Sequence, residues 1–427
     1  MLVANWLSIK ELCIFDTAIN NKQLRGNFLS GLSSGTFLYA GADVDERRSS
    51  EWQQTYAQWL NMRRVFVNSI TLNKRTMASS LLIYGTVSGL VTLTIHGDVN
   101  FPEDIAARNV ETLHRLELSK MGGYDGEEGQ KFLRSVREWG SKGGSLEELK
   151  LVRCTFGYQV VNFGKTCDAL IALHIEDCSS SASTTPVDSL NCGRLLWGIL
   201  SKCRSLKQFE FSHGGNKDSF LHEGDLCLLA RFCPNLECLR INTLFDNPTA
   251  AVLYTIGKCT KIQHLGLEFD DAIYDSIIAA VAANLVALRS LKVHDLRLAE
   301  PRTLRCLAHG CQQLQELSIV ESYDVTVSEA ELLELVERAK NLQRLTIGKW
   351  EHLDFRDTWE EEEPQLYDQH EQAKLVELGI EDAAAFISAQ QERVRIIRDA
   401  TPQPRDTVDR LRAASSNPHF QVILVNH

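Results

Sequence analysis

The chain has no uninterrupted apolar run long enough to cross a bilayer as a helix, which takes about 20 residues. Its longest nearly apolar stretch, Ile277–Leu288, is short and is broken by Asn284. No N-x-S/T glycosylation acceptor occurs. Met1–Asp16 carries Lys10 and Glu11 inside its apolar stretch and lacks a small-residue cleavage site, so it makes a poor secretory signal. Basic residues are in deficit: 45 Lys and Arg against 56 Asp and Glu give a net charge of −11. A protein that tracks a phosphate backbone normally shows a basic face, so neither nucleic acid nor membrane is an expected partner. The expected compartment is cytoplasmic or nuclear, with reduced thiols.

Catalytic motifs are equally scarce. There is no G-x-x-x-x-G-K-[ST] loop, H-E-x-x-H pair or dinucleotide fingerprint. Gly31-Leu32-Ser33-Ser34-Gly35 matches G-x-S-x-G, but that nucleophile elbow needs a preceding strand, and a helical segment stands there instead. The 12 cysteines include Cys227, Cys233 and Cys238 near His222, whose x5 and x4 spacings do not suit the paired C-x2-C of zinc sites. The 12 histidines are scattered, and none is assignable as a base. The expectation is a protein that is not an enzyme, with no catalytic residue, cofactor or metal.

What the sequence has in abundance is one short apolar pattern, L-x-x-L-x-L with aliphatic or Phe replacements. Its first positions fall at residues 67, 90, 113, 146, 170, 206, 236, 262, 288, 314 and 342. Three consecutive steps from 236 to 314 are 26 residues each, which is a repeat period. The longer steps hold loop insertions such as Gly122–Gly129 and Ser179–Thr185. Alternation within each unit, as in Leu149-x-Leu151, predicts a strand with one buried face. Apolar residues at i, i+3 and i+7 upstream of the next unit predict a return helix. Leu226/Leu229/Cys233, Ile278/Val281/Leu285, Leu304/Leu307/Cys311 and Leu332/Leu335/Ala339 share that spacing, as does Leu196/Ile199/Cys203. A lone strand–helix unit cannot bury its apolar face, so neighbours must stack. The predicted fold is α/β: a leucine-rich-repeat solenoid (horseshoe) with a parallel concave sheet, convex helices and a helical N-terminal cap.

The cysteines keep repeat phase. Cys167, Cys203, Cys233, Cys259 and Cys311 each lie three residues before a first Leu position, and Cys154 and Cys178 lie three after a third one. Buried structural thiols are expected at these sites. Units such as L-A-R-F-C-P-N-L-E-C-L-R-I (Leu229–Ile241) and L-A-H-G-C-Q-Q-L-Q-E-L-S-I (Leu307–Ile319) resemble the cysteine-containing class found in F-box/leucine-rich-repeat proteins. In the same vein, Trp6–Ile19 resembles the latter part of an F-box. That resemblance implies a helical module in which Leu7, Ile9, Leu12 and Phe15 bind an adaptor; the family's opening Leu-Pro and first helix have no counterpart here. The alternative is that Leu2–Leu32, helical by pattern, is a plain cap over the first open end of the repeats.

Three regions are expected: residues 1–50 as the F-box-like segment or cap, 51–348 as about eleven repeat units, and 349–427 as an acidic loop, a helix and a capping helix–strand. At the start of the second, Trp52, Tyr56, Trp59 and Leu60 suggest a short amphipathic helix feeding the strand near Val67. In the last, Glu360–Glu363 lies within the acidic loop Asp357–Pro364, Glu381–Ala400 and Thr407–Ser415 read as helices, and Phe420–Val425 reads as a strand.

A concave sheet offers an extended binding surface through the non-Leu strand positions. The candidates are Arg115, Glu117, Lys150, His174, Arg240, Arg289, Lys292 and Arg344, on a face that also holds His114, Glu147, Glu148, Lys207, Glu210 and Glu316; Arg240, Arg289, Lys292 and Arg344 are preferred because Arg and Lys donate directed hydrogen bonds to a partner. Mixed charge there suits a protein. The family resemblance implies a substrate-recognition subunit of an SCF-type cullin–RING ubiquitin ligase: adaptor and cullin through the N-terminus, a protein substrate on the concave face. The alternative is a repeat scaffold with no ubiquitin link. A GTPase-activating role, which needs a positioned arginine finger, is the weakest reading.

Overall fold

A computed structural model describes residues 14, 16–33, 69–73, 89–97, 109, 111–120, 146–156, 167–180, 199–213, 223–243, 249–269, 273–294, 296–297, 303–320, 329–348, 415 and 421–425. The chain forms two compact units, Met1–Cys203 and Arg204–His427.

The first unit opens with helix α1 (Lys22–Ser33). Asn21 starts it: its side-chain oxygen accepts from the N–H groups of Gln23 and Leu24 at 2.9 and 3.2 Å. Residues 19–21 are not helical, so the single helix expected over Leu2–Leu32 is interrupted there. Gly31–Ser33 form the last turn of α1, which puts no strand before Ser33. The buried Asp16 carboxylate accepts from Nε of Arg25 at 2.7 Å and from its Nη2 at 3.2 Å. Leu7, Ile9, Leu12 and Phe15 lie outside the described residues, as do Trp52–Leu60, Val67, the acidic loop and Glu381–Ala400.

Strands follow: β1 (Ser69–Asn73), β2 (Thr92–His96), β3 (Arg115–Ser119), β4 (Glu148–Val152), β5 (Thr155–Phe156), β6 (Ala172–Glu176) and β7 (Ser179–Ser180). All pairings are parallel: β1 to β2 to β3 to β4 to β6, with β5 and β7 as a separate short pair. Ser179–Ser180 is therefore a strand, although Ser179–Thr185 reads as a loop in the sequence. The repeat positions stay in register, Leu93 beside Leu116 and Leu149 beside Leu173. Each of these leucines is buried. Where one unit steps to the next, one carbonyl takes two N–H groups: Val91 from His114 and Arg115, His114 from Glu147 and Glu148.

After β2, β3, β4 and β6 the chain turns through a left-handed residue. Gly97 (φ 75°), Lys120 (φ 53°), Arg153 (φ 50°) and Asp177 (φ 49°) occupy the same repeat position. The N–H groups of Gly97, Lys120 and Arg153 donate to the last strand residue of the following unit, at 2.7–2.8 Å. Cys154 and Cys178 come next, where the thiol of Cys154 reaches the carbonyls of Leu118 and Val152, and that of Cys178 reaches Glu176. Both cysteines are buried, as expected of structural thiols, and they also satisfy backbone carbonyls at the turn.

The second unit alternates strands with helices: β8 (Gln208–Ser212), α2 (Glu223–Phe232), β9 (Cys238–Thr243), α3 (Thr249–Lys258), β10 (His264–Phe269), β11 (Ile273–Tyr274), α4 (Asp275–Asn284), β12 (Ser290–His294), β13 (Leu296–Arg297), α5 (Thr303–Gly310), β14 (Glu316–Val320), α6 (Glu329–Arg338), β15 (Arg344–Gly348) and β16 (Gln421–Val425). The long strands pair in parallel in the order β8, β9, β10, β12, β14, β15, β16. β11 and β13 form their own two-stranded sheet.

Both periodicities converge on one core. Leu239, Leu265, Leu291 and Leu317 line up across strands, and Leu226, Leu229, Val281, Leu307 and Leu335 come down from the helices; all are buried. Each such side chain contributes about 1.5–3 kcal/mol when removed from water. Cys233, Cys259 and Cys311 fill the ends of the helices, and the thiols of Cys259 and Cys311 donate to the carbonyls of Cys233 and Leu285 in the preceding unit. Helix α3 escapes the spacing rule because its i+3 position is Thr255, not an aliphatic residue. Its hydroxyl is buried and reaches the carbonyls of Ala251 and Leu226. The helix starts are also tied together, the buried Thr303 hydroxyl donating to the Asp275 carboxylate at 2.6 Å. The molecule is thus a leucine-rich-repeat α/β solenoid, as its periods predict. No helix among the described residues is long and apolar enough to cross a membrane.

Candidate functional site

In each unit alternation buries every second strand residue and leaves the others on an open face, the surface expected to be concave. Arg115, Glu117, Lys150 and His174 lie on that of the first unit, and Arg240, Arg289, Lys292 and Arg344 on or at the edge of that of the second.

In the first unit the open face is internally neutralised. Arg115 stands opposite Glu148 and its Nε lies 3.1 Å from that carboxylate. Glu117 stands opposite Lys150, with 3.3 Å between charges. Lys150 has His174 as its neighbour on the other side. These pairs are solvent-accessible and each contributes at most about 1 kcal/mol. Their larger effect is on recognition: a cation already facing a carboxylate has less field to offer a partner.

The second unit divides the four preferred cations in two. Arg240 donates to Glu210 at 2.9 Å, and Glu210 also accepts from the Gln208 amide at 2.9 Å. Arg344 donates to Glu316 at 3.1 Å, with the Ser290 hydroxyl 3.5 Å from the same carboxylate. Lys207 does likewise for Glu237 at 2.8 Å. By contrast, Arg289 and Lys292 are exposed and have no ion-pair partner among the described residues. Glu268 faces His294 at 3.8 Å. Glu210 and Glu316 are strand positions that the sequence places on this face; Glu237 was not among them. Its signal was available, since Glu237 occupies the same repeat phase as Lys207, its ion-pair partner.

Two further residues shape this surface. Gly266 sits at the centre of β10, in register with Arg240 on one side and Lys292 on the other. His264, two residues before it, is exposed and stands between Cys238 and Ser290. The glycine was unremarked in the sequence because a single strand glycine carries no motif.

The thiols are unsuited to nucleophilic work. Burial pushes Cys233, Cys259 and Cys311 up to about 12. Cys227 is pushed up to about 12 by burial, with Glu223 and Asp225 adding to it. Cys238 rises to about 11, burial and Glu210 outweighing the opposing pull of Arg240. The Cys178 thiol is raised chiefly by its hydrogen bond with Cys154. None supplies a thiolate near neutral pH. None of the ten described cysteines is in a disulfide. Of the residues weighed for zinc, Cys227 is on α2 and Cys238 on the open face of β9, while His222 lies outside the described residues.

At the N-terminal end, Ile14 and Leu24 are 54% and 61% exposed, on either side in sequence of the Asp16–Arg25 pair.

No family model and no curated protein matches the sequence. Among solved structures the chain is similar to one in the crystal structure of the Rad7 and Elc1 complex in yeast. The identity is 16% and the TM-score 0.52, over 82% of this chain and 87% of that one. Two internalins of Listeria monocytogenes also match at 15% identity: inlF over 60% of this chain and 75% of its own, TM-score 0.34, and inlC2 over 44% and 74%, TM-score 0.27. At these identities the likeness concerns the fold.

Proposed function

We propose that this protein binds another protein on the open face of its repeat sheet and serves as a substrate-recognition subunit of an SCF-type cullin–RING ubiquitin ligase. The observation that carries the binding half is the arrangement of charge in the second unit. Three carboxylates each have their own cation, while Arg289 and Lys292 are exposed and have no ion-pair partner among the described residues. Unpaired cations on a rigid surface await counter-charges from outside, and directed hydrogen bonds from them give specificity. Arg240 and Arg344 extend the contact surface around them within the second unit, and Arg115, Glu117, Lys150 and His174 are the candidate contacts of the first.

The ligase half is supported by the F-box resemblance of Trp6–Ile19 and by the exposed Ile14 within it and Leu24 after it, which leave apolar surface for an adaptor. A structural relative solved as a complex of two proteins, Rad7 with Elc1, supports a partnered role in general. Residues of this chain perform no chemistry in such an assembly; holding a target near a charged ubiquitin carrier raises its effective concentration. Cytoplasm or nucleus is the compartment this reading requires.

Affinity purification of the full chain tests it. Recovery of the adaptor and cullin, lost on deletion of Met1–Leu32, is the expected result. Recovery of neither from the intact chain would leave a repeat scaffold without a ubiquitin link, with the N-terminus acting as a cap.

A further inference from the structure

Gly266 is out of place in the middle of β10. Glycine in a strand interior costs conformational entropy and packs nothing, so it usually answers a need. Neither of the ordinary needs is met here. Its φ lies outside the left-handed region, and the three atoms nearest to a Cβ added to it would all belong to Arg240, the Cγ first at 3.2 Å. The fold could accommodate a small side chain after a shift of a few tenths of an ångström. What the glycine does create is a gap in a row of side chains. Its register neighbours are Arg240 and Lys292, whose Cα atoms are about 10 Å apart across the three strands. His264 borders the gap along the same strand, and Arg289 stands beyond Lys292's end of it, one residue before β12.

We propose that this gap seats the carboxylate of a Glu or Asp side chain belonging to an extended acidic segment of the bound protein. The inference rests on the reading of the open face as the partner surface and names the partner's chemistry. Lys292 supplies an uncommitted charge on one wall. Arg240, held by Glu210, presents its stem and remaining N–H groups on the other. The backbone of Gly266 forms a floor that any larger residue would raise. Arg289 extends the cationic surface, so a second acidic residue of the segment is accommodated at the strand start. Glu268, two residues along β10 and facing His294, repels an anion at the opposite end and orients the segment away from it. A nucleic acid fits less well, because the carboxylates of Glu210, Glu237 and Glu316 interleave the cations on adjacent strands and would meet a continuous phosphate row.

Fluorescence anisotropy on the full chain tests the seat, using a labelled peptide of alternating Glu and Ser and its Gln/Ser counterpart. The Glu/Ser peptide should bind roughly tenfold more tightly than the Gln/Ser peptide. Lys292→Gln should weaken the Glu/Ser peptide by about the same factor. Gly266→Ala should weaken it while leaving the melting temperature unchanged or higher, and Gly266→Val should abolish it. If Gly266→Val does not fold, Lys292→Glu with a Lys/Ser peptide carries the same test, since the reversed charge should now select the reversed peptide. Equal binding of the Glu/Ser and Gln/Ser peptides would overturn the proposal. So would indifference to Lys292→Gln, absence of Glu/Ser binding, or tighter binding of a duplex DNA oligonucleotide. Adaptor recovery by the same variants separates the two readings: it depends on the N-terminus, so it should persist whether or not the acidic seat exists.

Discussion

Glu210 on β8 accepts a hydrogen bond from Arg240 on β9 at 2.9 Å, across 30 residues of chain, because the repeat brings equal phases side by side. The pair determines how much of Arg240 a partner can use. Removing the carboxylate without changing its shape therefore separates stability from binding.

Glu210→Gln should change folding stability by about 1 kcal/mol or less, since Glu210 is half-buried but its partner Arg240 is exposed to solvent. It should also tighten binding of an acidic peptide, because Arg240 loses its internal counter-charge. Denaturation curves at low and high salt, set beside anisotropy, give both numbers. The stability difference should shrink in high salt.

Gly310 closes α5 where a methyl group would overlap the backbone carbonyl of Ala282 on α4. Backbone cannot swing aside as a side chain can. Gly310→Ala should destabilise by about 1–3 kcal/mol through overpacking, seen as a lower denaturation midpoint at unchanged slope. Gly266→Ala, whose nearest obstacle is Arg240, should not.

Lys120 holds φ 53° at the turn after β3, where Gly97 serves the equivalent turn after β2. A side chain in that region costs of order 1 kcal/mol. Lys120→Gly should raise stability by about 0.5–1 kcal/mol, net of the extra freedom glycine has when unfolded. Lys120→Val should lower it. Thermal melts of the two variants resolve the sign.

Buried thiols make the fold sensitive to alkali. An unfolded thiol loses its proton near about 8.5, whereas Cys233, Cys259 and Cys311 hold theirs up to about 12. Between those values the folded state binds more protons than the unfolded one, so stability is full below the lower value and falls as pH rises toward the upper. Denaturant midpoints measured across that interval should decline, and Cys311→Ala should flatten part of the decline. A thiol reagent at mildly alkaline pH should modify the half-buried Cys238 before the buried three.

The repeat was legible because a buried strand face leaves a two-residue period and a return helix leaves i, i+3, i+7, both local features of the chain. Leu149 and Leu151, or Leu304 and Leu307, announce their burial to anyone who counts. Departures arose where a polar residue took a core position. Thr255 hid α3 because a hydroxyl bonded to two backbone carbonyls is invisible to an apolar pattern. Ser179 and Ser180 became strand because Thr155 and Phe156 stood ready to pair with them. Asn21 broke the N-terminal helix by offering its side chain to the N–H groups ahead of it.

The open face was legible as a list of positions and illegible as a field. Composition and spacing were sufficient to determine a parallel repeat sheet, the side chains it buries and the residues left outside, since those follow from how each short segment must hide its apolar side. Which cations remain uncommitted was decided by tertiary structure alone. It depends on whether a carboxylate on the next strand lies within about 3–4 Å, a distance set by register between segments 26 or more residues apart. Arg240 and Lys292 look alike in the chain; only the neighbour supplied by folding distinguishes a paired charge from a free one.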